Sequence, residues 1–363
     1  MIGMTIRVGA CLGLALLIVG AACPLSAFPI NGDQAVLPAG TELNEDALDR
    51  PTELFHSEAT QGRKSYLVNL GDLAFSSPGL FGGVAKRAGL SCASCHVNGA
   101  SNAKLFVPGM STHPGNFDTT GGFFNPRADD GVLDPLTVPS LRGVRYLAPY
   151  GHDGRIASLR EFIRNVIVNE FAGPEPSPAI VDAMVTYIQD IDFLPDPLIG
   201  PDGKLTDKAS DSARRGEALF SKPFASDPTL SCASCHIPSA AFVDHRQHDV
   251  GTGGLFKTPT LLNAKLNAPY FHDGRFADFD DVVAYFDKTF ALGLAAHDRQ
   301  DLVAYLSAIG DGVTPETPDS VDPRLKEIRD FSSVLATAIP AQDSNVIALA
   351  ADTIGGELEK LSE

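Results

Sequence analysis

The hexapeptide "SCASCH" occurs twice in this 363-residue chain, at residues 91–96 and again at 231–236. The chain has six cysteines, and four of them belong to these two copies. Each copy reads C-x-x-C-H, the spacing at which two thiols on one helical turn add to the vinyl groups of a single porphyrin while the adjacent histidine is held under the iron. Cys92, Cys95 and His96 form one such set, and Cys232, Cys235 and His236 form the other. A redox dithiol, a structural disulfide or a four-cysteine zinc site are alternatives for a C-x-x-C pair. A redox pair has no need of a trailing histidine in both copies, and zinc ligands seldom fall in separate repeats about 140 residues apart (231 against 91). The reading is two covalently bound haems c.

The N-terminus agrees with it. Residues 1–27 carry Arg7 as their only charge, then the apolar run "CLGLALLIVGAA" and the small residues of "PLSA". This is the pattern of an export signal cleaved after Ala27, and its apolar run is short for a membrane span. Export to the periplasm suits a protein whose haem is attached outside the cytoplasm. A lipoprotein reading, with Cys23 acylated, is the minor alternative. Cleavage removes Cys11 and Cys23 and leaves every remaining cysteine in a haem motif, so no disulfide framework is expected. The net charge of −17 excludes nucleic acid, which needs a basic face. It suits steering toward a basic or dipolar protein partner, and equally suits simple solubility.

The duplication extends beyond the hexapeptide. "TVPSLRGVRYLAPYGHDGRIASLREFIRNVI" at 137–167 is matched by "KTPTLLNAKLNAPYFHDGRFADFDDVVAYFD" at 257–287. Both place a Thr-x-Pro or Thr-Pro element, then "APY", one variable residue, "HDGR" and an amphipathic helix. "DAMVTYIQDI" at 182–191 and "DLVAYLSAIG" at 301–310 close the two units, and "EATQGRKSYLVNL" at 58–70 and "DSARRGEALF" at 211–220 open them. Two copies of one unit have been fused. The fold class is therefore all-α: two tandem cytochrome c-like domains, 48–197 and 205–313, joined by the Pro- and Gly-rich "LPDPLIGPDGKLTDK", with a helical extension over 314–363. That extension holds two helical patterns and either covers a domain face or docks a partner.

The paired C-x-x-C-H units with their P-[ST]-L and "HDGR" elements resemble the bacterial di-haem cytochrome c peroxidases and the related di-haem enzymes of methylamine utilisation. The resemblance covers roughly residues 50–310. It implies an N-terminal haem that meets hydrogen peroxide, a C-terminal haem that passes it electrons, and a small cytochrome c or copper protein as donor. Some relatives hold calcium between the domains, here through the carbonyls of Thr258 and Pro259. A homodimer is left open.

The resemblance also directs attention to the sixth ligand of each iron, because a pure carrier closes both axial sites and peroxide chemistry needs an open one. Beyond the signal the only methionines are Met110 and Met184, so the second repeat has none. Matching the relatives' ligand helix onto "FDDVVAYFDKTF" puts Phe286 at the ligand position with Tyr285 beside it. This leaves Tyr285, His248, His272 or no sixth ligand. In the first repeat the loop "LFVPGMSTHPGNF" carries Met110 and His113, and the resemblance makes His113 a displaceable distal ligand. Glu161, just after "HDGR", is a proton-transfer candidate, and it equally completes a capping box with Ser158. His152 is a second candidate, although its counterpart His272 in the other repeat points to a shared structural role. The relatives' Trp between the haems has no equivalent, since the chain contains no Trp. The expected activity is reduction of hydrogen peroxide, with a di-haem electron carrier or an oxidase or oxygenase on the same scaffold as alternatives.

Overall fold

The computed structural model describes residues 37–362 apart from 45 and 46, and the export segment read at 1–27 lies outside them. Helices α1 (His56–Gln61), α2 (Tyr66–Phe75) and α3 (Gly83–Arg87) precede the single turn α4 (Cys92–Cys95); a long loop then leads to α5 (Leu159–Asn165) and α6 (Pro178–Asp190). The second repeat follows the same order with α7 (Asp211–Phe220), the turn α8 (Cys232–Cys235), α9 (Phe279–Thr289) and α10 (Ala296–Ile309). Helices α11 (Val321–Ala338) and α12 (Ser344–Ser362) come last. Strands among the described residues are two or three residues long, so the architecture is helical, as the repeat pattern implies.

Local sequence sets the helix starts. Ser65, Ser177, Ser210 and Asp278 each accept a hydrogen bond from an amide in the first turn of α2, α6, α7 and α9. The stretch 58–70, read as one helix, is two. Gly62 sits at φ 73°, a left-handed conformation that ends α1, and Ser65 starts α2 afresh.

In each repeat the first long helix crosses the last one at a glycine. A Cβ on Gly71 of α2 would run into the Ala183 carbonyl of α6, and one on Gly216 of α7 into the Asp301 carbonyl of α10. Tyr187 and Tyr305 pack directly beside these glycines and are almost fully buried. The matching tyrosines of the two closing helices thus fill the crossings.

The two opening helices differ in one respect. Every residue of α2 from Val68 to Phe75 is buried, whereas α7 buries only Ala213, Gly216 and Phe220. A helix buried all round needs cover on two sides. For α2 the second cover is the C-terminal hairpin: α11 packs on α12 and both pack on α2. Phe331 and Val334 reach 0% exposure in the first repeat's core, worth roughly 1.5–3 kcal/mol each by apolar burial. Residues Asp49–Pro51 pair antiparallel with Glu316–Pro318, which ties the chain's return to the first repeat. Asn69 Nδ2 donates to Ser333 Oγ at 3.1 Å, and Arg50 and Arg324 share Asp319 at 2.7 and 2.6 Å. The extension therefore covers a face of the first repeat.

Candidate functional site

The turns α4 and α8 are built alike. Ser91 N–H donates to Ser94 Oγ at 3.1 Å and His96 N–H to the Cys92 carbonyl at 2.9 Å; Ser231, Ser234, His236 and Cys232 repeat both bonds at the same distances. One turn so closed brings both thiols and the histidine to a common wall. His96 donates from Nδ1 to the Pro139 carbonyl at 3.0 Å, and His236 from Nδ1 to the Phe242 carbonyl at 3.1 Å. A carbonyl can only accept, so Nδ1 carries the proton and Nε2 keeps its lone pair for a metal. Burial drives the His96 pKa down to about 4 and lowers that of His236, which keeps both rings neutral.

The thiols are free of disulfides. Burial pushes Cys92 and Cys95 up to about 12 and Cys232 up to about 11, the reverse of a redox dithiol, whose reactivity needs a lowered pKa. All four thiols and both histidines line one continuous cavity of about 620 Å³ shared by the two repeats. Its wall is dominated by Phe, Leu, Ile and Val side chains. Paired unreactive thiols, a neutral histidine with a free Nε2 and an apolar cavity fit haem c at each site.

The two halves are stitched together by equivalent bonds. Lys257 N–H donates to the His152 carbonyl at 2.9 Å, and Thr137 N–H to the His272 carbonyl at 2.7 Å. Each repeat thus lends the strand before its P-[ST]-L element to the "HDGR" turn of the other. Lys257 Nζ also crosses, donating to the carbonyls of Leu147 and Pro149 at 2.9 and 2.7 Å, and burial brings its pKa down to about 8. His152 lines the cavity with Nε2 2.8 Å from the Thr137 carbonyl, and burial lowers its pKa to about 4. It serves this junction, as its counterpart His272 does.

Three sequence candidates lie elsewhere. His113 does not reach the cavity wall; its Nδ1 is 2.9 Å from the Pro114 carbonyl and its Nε2 3.0 Å from the carbonyl of Asp273 in the second repeat. The loop is held there by Asn116, fully buried, whose side chain binds Thr112, His113 and the same Asp273 carbonyl. The expectation of a distal ligand at His113 gives way to a junction residue. Met110 is buried in the first core and also stays off the cavity wall. Glu161 is exposed in the first turn of α5, where its amide donates to Ser158 Oγ at 3.4 Å, so it is a helix-start residue and does not face the haem site.

The carboxyl group that does line the cavity is Glu170. After α5 the chain widens into a π-helical turn, Val166–Glu170, of the kind often found at functional sites, and Glu170 at its end is buried. Arg155 of "HDGR" stands 3.5 Å from Glu170 Oε1, Asn165 Nδ2 donates to it at 3.2 Å, and the Thr119 hydroxyl bonds it as well. Burial outweighs these partners and raises its pKa above the ordinary carboxylate value. In the second repeat the position 120 residues on (290 against 170) is Phe290, which also lines the cavity. Leu159 and Phe279, Ile163 and Val283, and Val166 and Phe286 follow the same offset, all on the wall.

The calcium expectation finds no support. The Pro259 carbonyl is turned to the ring of His236. Among the described residues the one grouping of His, Cys and carboxylate atoms close enough to share an ion is Cys235, Asp244 and His248, and Cys235 is a haem thiol.

A family model described as di-haem cytochrome c peroxidase matches residues 210–350. The match spans the second repeat and part of the C-terminal extension, and over that stretch the chain is similar to this family. Over a longer stretch it is similar to the hydrazine synthase subunit gamma of Kuenenia stuttgartiensis, 26% identical over 308 residues, covering 68% of this chain and 78% of the relative. It is also similar to the cytochrome c peroxidase of Escherichia coli strain K12, 40% identical over 70 residues, which is 18% of this chain and 15% of that one. A solved structure of the Kuenenia hydrazine synthase shares the fold, with a TM-score of 0.50 at 24% identity over 71% of this chain and 94% of that one. A di-haem family implies haem c, for which the two C-x-x-C-H turns supply the thiols.

Proposed function

We propose that this chain is a peroxidase that reduces hydrogen peroxide at its first haem, using electrons that enter through the second. One observation carries the reading: Glu170, buried and within reach of Arg155 and Thr119, lies on the wall of the first haem site, and Phe290 takes the corresponding place in the second. When bound, the haem supplies the iron that meets peroxide and the redox equivalents for its cleavage. The chain supplies the rest. Hydrogen peroxide takes up two electrons and two protons to give two waters, so a group must lift a proton from the near oxygen and return it to the far one. A carboxyl of raised pKa is suited to both halves of that exchange. Arg155, itself open to solvent, balances Glu170 whenever it is ionised, and the apolar wall beside Glu170 limits its own contact with water.

The continuous cavity and the reciprocal bonds of Lys257 and Thr137 support transfer between the two haem sites. The acidic charge of −17 favours a basic electron-donor protein, and the export pattern at 1–27 supports a periplasmic location. A second reading, action as a subunit of a larger redox assembly, is favoured by the similarity to a hydrazine synthase subunit across most of that subunit's length. The test is catalytic: the half-reduced protein, given a small reduced donor, should consume peroxide continuously. Rapid electron exchange with the donor and no peroxide turnover in any redox state would replace the peroxidase reading with a carrier.

A further inference from the structure

The second haem site differs from the first in more than Glu170. Helix α9 and the residue that follows it present Phe279, Val282, Val283, Phe286 and Phe290 to the cavity, a surface with no hydrogen-bond donor and no atom that binds iron. Tyr285, next to Phe286, turns away; its hydroxyl donates to the Val250 carbonyl at 2.6 Å, and it is absent from the cavity wall.

Four other side chains with ligating atoms line this half of the cavity: His248 and Lys257 are hydrogen-bonded, and the rings of His272 and Tyr270 are stacked. His248 Nε2 is 2.7 Å from Asp244 Oδ2. Asp244 also bonds Thr258, the neighbour of the Pro259 whose carbonyl contacts the His236 ring, so His248 belongs with the His236 side. His272 stacks flat on Phe256 with ring centroids 3.7 Å apart. Lys257 Nζ is bonded to the Leu147 and Pro149 carbonyls of the first repeat. The Tyr270 ring stacks on Phe279 at 4.7 Å and has a counterpart, Tyr150, at the same place in the first repeat.

We propose that no side chain of this chain ligates the second iron opposite His236, and that this pocket binds small uncharged molecules such as carbon monoxide, nitric oxide or dioxygen. An anion or peroxide held against the α9 face would lose its hydration with no donor on that face to replace it, a cost that an uncharged diatomic does not meet. Arg275, the second-repeat counterpart of Arg155, offers no help, being held in a fork by Asp273 at 2.8 and 2.6 Å and lying off the wall. The two sites are thereby sorted, the first for a ligand that exchanges protons and the second for one that does not. This inference does not depend on the first site being a peroxidase.

The test uses the full chain loaded with both haems, reduced without oxygen and titrated with carbon monoxide, followed by absorption. Spin state is read on the oxidised protein by electron paramagnetic resonance. Phe286→Met places a thioether where the phenyl ring stands; the second iron should become low-spin and one carbon monoxide binding event per chain should disappear. Phe286→Leu controls for lost volume and should keep that event. Tyr285→Phe, which removes the phenol next to Phe286, should leave the wild-type spectrum unchanged. The proposal is overturned if Phe286→Met, with both haems retained, leaves the number of carbon monoxide events unchanged. It is equally overturned if the spin state of the wild-type second iron changes in Tyr285→Phe, His248→Gln or His272→Gln. Failure of the peroxidase reading would appear separately, in Glu170→Gln turnover, and would leave these counts untouched.

Discussion

Glu170 and Phe290 occupy the same step of the two repeats, 120 positions apart (170 and 290), and both line the shared cavity. The fused units therefore agree in how they hold haem and differ in what they set beside it. Glu170 ends a π-helical turn, while the second repeat carries α9 on as an α-helix to Thr289.

The pH dependence of peroxide turnover should bear the mark of Glu170. Burial raises its pKa above the ordinary carboxylate value, and the ionised form is the one that can accept the first proton. Turnover should therefore rise with pH through a limb lying above the ordinary glutamate range. In Glu170→Gln that limb should be missing from the kcat/KM profile, and in Glu161→Gln it should persist.

Haem attachment should be complete and divisible. Mass spectrometry of the denatured chain should show two covalent haems, and replacing Cys92 and Cys95, or Cys232 and Cys235, by alanine should remove one haem in each case. One haem in the wild-type chain would contradict the equivalence of α4 and α8.

The glycines at the helix crossings should be intolerant of even one methyl group. In Gly71→Ala and Gly216→Ala the new Cβ meets a backbone carbonyl, which cannot rotate aside. A loss of about 1–3 kcal/mol is expected at each, as for other overpacked contacts, measured by denaturant unfolding. A neutral outcome at both sites would mean that the helices cross further apart.

Docking of the C-terminal hairpin should weaken as pH rises. Burial, reinforced by the carboxylates of Asp72, Glu357 and Glu53, raises the Glu327 pKa from 4.5 to about 8. A carboxyl that titrates higher when folded keeps a proton that the unfolded chain has released. Its stabilisation is thus complete below about 4.5 and is lost as pH climbs through about 8. Denaturant midpoints taken across that window should fall, and Glu327→Gln should flatten the fall. A wild-type midpoint that rises over this window would contradict the protonated state.

Much of this was legible in the sequence because covalent chemistry and repetition leave local marks. The two "SCASCH" turns, the "HDGR" elements and the closing helices with Tyr187 and Tyr305 could all be read directly. The tail reads as either covering a domain face or docking a partner, although "YLVNLGDLAF" is apolar on all sides and its counterpart "DSARRGEALF" is not, a difference that points to the covered face. What could not be read depends on long-range geometry. His113 binds a carbonyl 160 residues away, which no local pattern announces. Glu161 stood one residue beyond the expected spacing from "HDGR", where Arg160 falls, and it lies on the solvent side of α5. Glu170 was hidden because a π turn breaks the helical period by which facing residues are counted. Aligning the two repeats position by position would have exposed it, as the only acidic residue at a step where the other copy holds Phe290.

The most direct test of the account is the turnover of hydrogen peroxide by half-reduced Glu170→Gln protein carrying both haems, beside wild type and Glu161→Gln. The account predicts a loss of about a hundred- to ten-thousand-fold in Glu170→Gln, the range for removing a positioned acid or base, with haem spectra intact and Glu161→Gln near wild type. Wild-type turnover in Glu170→Gln, or an equal loss in Glu161→Gln, would contradict it.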